Sequence, residues 1–408
     1  MPSKIIKIIG AGPAGSAVGC LLARAGYEVK IYDEFVRPDL IVGESLIPAI
    51  LPFLKELGVL EDVHQMGVQK PGATIYLEDL EPWEIKFSNG DKTSPNFAYN
   101  ILRKEFDNLL LNAAIKAGCD VQRRCVRLEY SKEWDRVFID DYSENQIVID
   151  ASGRRRVVAK ALNLGLKQGK RNDIALFAHL DKAELPYAGN IHMNVFDEGW
   201  SWRIPLPNRV SVGFVADRKF FERFGSDRTL QYDSILKEGS ILPSVLGAKR
   251  LTDVVKYSNY QLQSHRVYGT NWILVGDSAG FLDPVFSTGL FLSLKGASSL
   301  AKHLVENSLD AYQEETLHAL NAWGGLIESF YDGRFFSMIR SGSELKSIES
   351  EKFYSAGYEN FFSKIISGYG MEEEDVQDKF NLILKFCASR NEIELARKYE
   401  ITKTLVAS

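Results

Sequence analysis

Cysteine is scarce: the 408 residues contain Cys20, Cys119, Cys125 and Cys387 and no CxxC pair. That spacing excludes a disulfide framework and a clustered thiolate metal site, and it suits a reduced, cytoplasmic protein. The six histidines make no metal-like cluster either, so no metal is expected. Long apolar runs are missing. None approaches the ~18 residues that a membrane helix needs, so no membrane span is expected. The first polar residues run straight into a strand-like segment, which does not fit a signal peptide. Surplus positive charge is missing too. A net charge of −5 argues against a general nucleic-acid binder. There is no internal repeat, no low-complexity tract and no GxSxG hydrolase pattern.

What remains is an ordinary globular composition, 45% apolar and 25% charged, with length for two or three domain-sized units. Residues 4–9, Lys-Ile-Ile-Lys-Ile-Ile, read as a strand. Gly10-Ala-Gly12-Pro13-Ala14-Gly15 follows, then a helical stretch from Ser16 to about Ala25 with Gly26 as its C-terminal cap. A second strand, Val29–Tyr32, ends at Asp33, 18 residues after Gly15. This is the dinucleotide fingerprint in its required context. Gly10 allows the tight turn, Gly12 admits the pyrophosphate, and Gly15 lets helix and strand pack closely. The helix N-terminus offers free N–H groups to phosphate, and Asp33 suits a ribose hydroxyl. The fingerprint alone does not separate FAD from NAD.

Three later segments choose FAD by resemblance. Gly276-Asp277 follows the apolar run Trp272–Val275 and resembles the GD motif of FAD-dependent monooxygenase-like proteins, whose Asp meets the ribityl chain. Asp150-Ala-Ser-Gly153 after Gln146–Ile149 resembles the strand that returns to the nucleotide domain there. Arg103, in Leu-Arg-Lys-Glu-Phe-Asp107, resembles the RxxFD arginine near the cofactor; taken alone it reads as a surface ion pair with Asp107.

Four more segments, in order, resemble flavin-dependent halogenases. They are Gly43-Glu44-Ser45-Leu46 with Pro48; Lys70-Pro-Gly-Ala-Thr74 with Glu81-Pro-Trp83; Trp200-Ser-Trp202-Arg-Ile-Pro205; and Phe281-Leu-Asp-Pro284-Val-Phe286-Ser287-Thr288-Gly289. The resemblance covers about residues 4–335 and implies FADH2, oxygen and chloride or bromide as reactants. It places Glu44 and Ser45 with the cofactor-binding residues Gly10, Gly12, Pro13, Ala14, Gly15, Asp33, Arg103, Gly276 and Asp277. It makes Lys70 the catalytic residue that meets hypohalous acid. An ammonium would polarise that acid; a deprotonated amine would form a haloamine, which burial favours by lowering a lysine pKa. Thr288 and Gly289 match backbone donors that hold halide at a helix start. Trp200, Trp202, Pro284, Phe286 and Ser287 match the partition between flavin and substrate. The two Trp alternate on a strand and point to one face.

One departure is informative. Tryptophan halogenases carry glutamate immediately before the Ser-Thr-Gly, where this chain has Phe286. The pattern resembles the branch acting on phenols or pyrroles, often tethered to an acyl or peptidyl carrier protein. Arg154-Arg155-Arg156 and Lys167–Arg171 read as solvated basic clusters or as a docking site for such an acidic carrier. His179 reads as a hydrogen-bonded structural residue or as an acid–base group. Phe335, Phe336 and Met338 line a pocket or fill the core.

The expected fold is α/β: a Rossmann-like FAD-binding domain of aromatic-hydroxylase type, a β-rich substrate domain and a helical C-terminal region. The FAD-binding domain spans 1–300 discontinuously, near 1–69, 100–175 and 266–300, with an inserted sheet near 70–99 and 176–265. Residues 301–408 cover the substrate pocket, with helical pattern from about 296. A separate flavin reductase is expected, since no second nucleotide motif is seen. A monooxygenase or flavin reductase on the same fold is the alternative; a ligand-binding flavoprotein without turnover is the reading from another class.

Overall fold

The architecture comes from a computed structural model. It describes residues 5–389 except 35–37, 78–79, 91–94, 141–144, 170, 172, 182, 184, 239–242, 260 and 348–351. Lys4 and Lys170, and the side chain of Cys387, lie outside the described residues.

The N-terminal strand Ile5–Ile9 is the centre of a five-stranded parallel sheet. Gln146–Asp150 and Trp272–Leu274 lie on one side of it, Glu28–Asp33 and Asp120–Arg123 on the other. A central parallel strand is covered on both faces, which is why its side chains are buried almost without exception. Ile6 and Ile8 are fully buried, and even Lys7 is buried, with Nζ donating to the Ile139 carbonyl at 2.7 Å. The helix after the glycine loop runs Pro13–Arg24, so it starts at Pro13 rather than Ser16; proline is favoured at that first position because its missing N–H is not needed there.

The second sheet has seven strands in the order Val255–Asn259, Asp173–Leu180, Arg209–Asp217, Gly199–Leu206, Ile191–Phe196, Gly72–Tyr76, Trp83–Lys86. Its pairings are antiparallel apart from Ile191–Phe196 with Gly72–Tyr76. Strand alternation gives it two faces. Val212 and Phe214 point to a small core closed by Phe220, Tyr232 and Ile235 from the helices Arg218–Glu222 and Arg228–Glu238. Phe177, Met193, Trp200 and Trp202 point the other way and join the main core.

Five helices complete the described chain: Thr288–Val305, Leu309–Tyr331, Arg334–Ser347, Lys352–Ile366 and Glu374–Ser389. The helical part therefore begins at Thr288, not near 296; Gly289 and Gly296 inside the first helix lower its intrinsic propensity and blur the start. Among the described residues no helix is long and apolar enough to cross a membrane.

Candidate functional site

A cleft lies between the glycine loop and the front face of the seven-stranded sheet. Gly12, Pro13 and Ala14 form one wall, Glu44, Ser45, Arg103 and Asp277 another, and Trp200, Trp202, Pro284, Ser287 and Gly289 a third.

The loop is shaped for a phosphate. Gly10 has φ +104°, and a Cβ there would come within 2.5 Å of the Ala151 carbonyl oxygen. A Cβ on Gly15 would sit 1.9 Å from the Gly10 oxygen, so the helix packs on the loop only because Gly15 has no side chain. At Gly12 the situation is reversed: a Cβ would meet nothing within 4 Å. The helix opens at Gly12 with no side-chain cap, which leaves its N–H donors to a ligand. Asp33 is not a wall residue. Its Oδ2 accepts the Ala11 N–H at 2.6 Å and so holds the loop.

Arg103 binds both oxygens of Asp107, at 3.0 and 3.2 Å, and also donates to the Val42 carbonyl. The ion pair read from the sequence exists, but it is buried rather than on the surface, and Arg103 still reaches the cleft. Gly43 makes room for it: a Cβ there would lie 3.0 Å from Nη1. Burial pushes the Asp277 carboxyl up to about 6, against the pull of Arg103 and Arg154. Gly276, at φ +65°, packs against Ala14 and so ties this turn to the loop helix. Glu44 is held by His179, whose Nε2 lies 2.7 Å from Oε1. Both are buried, which supports the hydrogen-bonded reading of His179. Ser45 donates to Asn100 Oδ1 at 2.8 Å.

Lys70 does not line the cleft. It lies behind the Glu44–Leu46 segment, 1% exposed, with Nζ donating to the Leu46 carbonyl at 2.8 Å and 5.3 Å from the centre of the Phe87 ring. Desolvation lowers its pKa to about 7, so near neutral pH the amine and ammonium forms coexist.

Trp200 and Trp202 pack 5.7 Å apart on one face. Gly213, paired with Trp202 across the sheet, leaves space for the indole; a Cβ there would come within 2.2 Å of it. Trp200 Nε1 donates to the Tyr331 hydroxyl at 3.0 Å, which donates to Asp283 Oδ2 at 2.6 Å, while Asp283 Oδ1 caps the turn Pro284–Phe286 through the Val285 N–H. Tyr331→Phe takes the hydroxyl from this buried chain and leaves the Trp200 indole N–H without its partner. That costs about 1–3 kcal/mol, and thermal unfolding should show the loss with FAD affinity retained.

Phe286 is not part of the cleft wall. It points behind it, edge-on to Phe330 at 5.7 Å and Phe335 at 5.2 Å. Phe335 continues to Phe362 at 5.6 Å, and Phe362 to Trp83 at 6.2 Å. Phe335, Phe336 and Met338 are fully buried in this layer. Ser287 adopts the left-handed conformation, φ 59°, and starts the 18-residue helix Thr288–Val305 without a side-chain cap. The Thr288 hydroxyl is buried with no partner, and Gly289 faces the cleft. An uncapped helix start beside a partnerless hydroxyl suits a small anion.

The arginine run is not a solvated cluster. Arg156 is buried, bonded to Ser264 Oγ at 2.6 Å and the Ser278 carbonyl at 3.2 Å. Arg154 stacks on Phe281 at 4.6 Å, and only Arg155, paired with Glu34, is largely exposed. Arg171 is paired with Asp173 and lies 3.8 Å over the Tyr331 ring. Gly213 and the layer around Phe362 carry no local sequence signal for these roles.

A family model described as tryptophan halogenase matches residues 64–332, more than half of the chain. A tryptophan 2-halogenase of Chondromyces crocatus is 27% identical over 355 residues, 80% of this chain and 67% of that protein. A 1H-pyrrole-2-carbonyl-[peptidyl-carrier protein] chlorinase of Pseudomonas fluorescens is 24% identical over 374 residues, 80% of this chain and 83% of its own length. Among solved structures, a flavoprotein/dehydrogenase from Cytophaga hutchinsonii superposes with a TM-score of 0.82 at 25% identity, covering 96% of this chain and 99% of that one.

Proposed function

This chain belongs to the tryptophan-halogenase family of FAD-dependent halogenases, and from that membership we propose that it halogenates an apolar, electron-rich arene through Lys70. The observation that carries the proposal is the placement of Lys70: fully buried, beside Phe87, with its pKa brought to about 7 and a single carbonyl acceptor. A buried ammonium held so sparsely is costly, so burial makes a substantial share of neutral amine present near neutral pH. That amine takes halogen from hypohalous acid, forming an N–X bond and releasing water. It then passes the halogen to the arene and recovers the arene's proton.

FAD, bound and reduced, would supply two of the four electrons that dioxygen takes up and halide the other two, giving hypohalous acid and water. The chain's own residues do the rest. The loop Gly10–Gly15 and its helix start take the pyrophosphate; Arg103, Glu44, Ser45 and Asp277 fix the remainder of the cofactor, Asp33 orders the loop and reaches for the ribose, and Thr288 with Gly289 offers N–H donors to halide. Trp200 and Trp202, held by Tyr331 and Gly213, wall the cleft and exclude an organic acceptor from the flavin side, while the Glu44–Leu46 segment stands between the cleft and Lys70. The reading of residues 1–300 as a discontinuous FAD domain with an inserted sheet, and of 301–408 as a cover, belongs to the same proposal, as does a separate flavin reductase.

The substrate class is supported by the residue at position 286. Phe286 stands in the position of glutamate and packs edge-on against Phe330 and Phe335 in an apolar layer. This favours a phenol or pyrrole over the zwitterion of tryptophan, although relatives named for both classes are similar to this chain. Carrier tethering is supported by the pyrrole relative alone, since the arginine run is used internally. A competition among a free phenol, a carrier-bound pyrrole and free tryptophan, read by mass spectrometry with bromide, tests the class. Halogenated phenol or pyrrole is expected; preference for tryptophan would overturn it.

A further inference from the structure

A second, narrow cavity lies behind the first, between the helices Thr288–Val305 and Leu309–Tyr331. Gly280, Gly296, Leu292 and Leu320 give it an apolar middle, and the polar Tyr312 and Thr316 also face it. It shares Asp277, Leu282 and Gly289 with the main cleft, so the two spaces meet at the wall where the cofactor would lie. We infer that this glycine-lined cavity is the passage by which dioxygen reaches the flavin. The inference rests on FAD occupying the main cleft, where the cofactor itself fills that cleft's opening and leaves the second cavity as the other approach.

The lining chooses the traveller. A halide would need a cation or a row of free N–H donors along the way, because its hydration must be replaced. At the outer end Lys295, the one cation among the described residues of the lining, is paired with Glu372, and the carboxylate Glu315 is hydrogen-bonded to His303 and Ser299, so the mouth offers no unpaired cation to a halide. Between mouth and flavin wall the surface is mostly apolar. A dry apolar space holds neutral molecules such as xenon readily, and dioxygen is the neutral, apolar reactant of this chemistry.

Gly296 is the place to block it. A Cβ there meets only Val275 Cγ2, at 3.8 Å, and replacing a mid-helix glycine favours the helix. In stopped-flow mixing of the reduced, FAD-loaded enzyme with oxygenated buffer, Gly296→Phe should lower the second-order oxidation rate at least tenfold. Its FAD dissociation constant and half-saturating bromide should stay at the wild-type values, and Gly296→Ala should oxidise at nearly the wild-type rate. An unchanged oxygen rate in Gly296→Phe overturns the passage. A raised bromide requirement at unchanged oxygen rate also overturns it and makes the cavity a halide route. Xenon-pressurised crystals of the flavin-free wild type give a readout independent of that variant's folding. Xenon bound between Gly280, Gly296 and Leu320 supports the passage; none bound there contradicts it. Failure of the wild type to bind FAD would instead undo the reading of the main cleft.

Discussion

Lys70→Met loses halogenation and gains stability. The two effects have one cause, the burial of an amine that the fold itself does not need. In the folded protein the Lys70 pKa falls from 10.5 to about 7 through desolvation. The unfolded chain therefore binds more protons than the folded one between those values, and wild-type stability rises with pH across that window. The penalty is complete at pH 7 and below, and is gone above pH 10.5. A shift of this size corresponds to roughly 5 kcal/mol as an upper figure, and replacing a buried ionisable group by a well-packed apolar one returns about 1–4 kcal/mol. Met fills similar volume, so the variant should melt higher than wild type at pH 6 and differ less at pH 9, as thermal unfolding at both values will show. Halogenated product should fall to the background without enzyme. Hypohalous acid released to a diketone trap should persist, because the cleft is untouched. Retained product formation would remove Lys70 from the reaction; a lower melting point at pH 6 would remove the desolvation argument.

Gly12→Val abolishes cofactor binding without harming the fold. The position has φ −70° and ψ −176°, extended backbone that valine adopts freely. Its Cβ would meet no protein atom within 4 Å, so the new methyl groups enter the cleft where the pyrophosphate lies. Affinity for FAD should drop at least 100-fold, about 3 kcal/mol, with the melting temperature of the FAD-free protein unchanged. Gly15→Val is the contrast. Its Cβ falls 1.9 Å from the Gly10 oxygen, so it should lose soluble folded protein altogether. A titration showing wild-type FAD affinity for Gly12→Val would take the cofactor away from the loop.

The parts of the site readable in the sequence are those whose geometry is local. A glycine loop between a strand and a helix states its own shape, and two Trp at spacing two share a face of any strand. The Trp wall accordingly lies where alternation puts it. What tertiary structure adds is hidden from such patterns. His179 meets Glu44 across 135 positions, and Tyr331 meets Asp283 across 48, pairings no local pattern encodes. Three consecutive arginines look like surface charge until folding threads Arg156 between Ser264 and Ser278. The neighbours Pro284 and Ser287 suggest a place beside the flavin for Phe286, but the turn Pro284–Phe286 aims its ring backwards into the layer with Phe330 and Phe335. After Arg340 the sequence offers no motif. Even so, the helix Lys352–Ile366 supplies Phe362, which packs against Trp83 and Phe335 and helps to close the aromatic layer.

The most direct test of the central claim is a mass spectrum. The reaction contains the wild-type protein, FAD, NADH, a flavin reductase, oxygen, bromide and either a phenol or a carrier-bound pyrrole. A product carrying the bromine isotope doublet, absent when Lys70→Met replaces the wild type, is the predicted result. A product heavier by one oxygen and free of bromine would contradict it and identify the protein as an oxygen-inserting flavoenzyme on a halogenase fold.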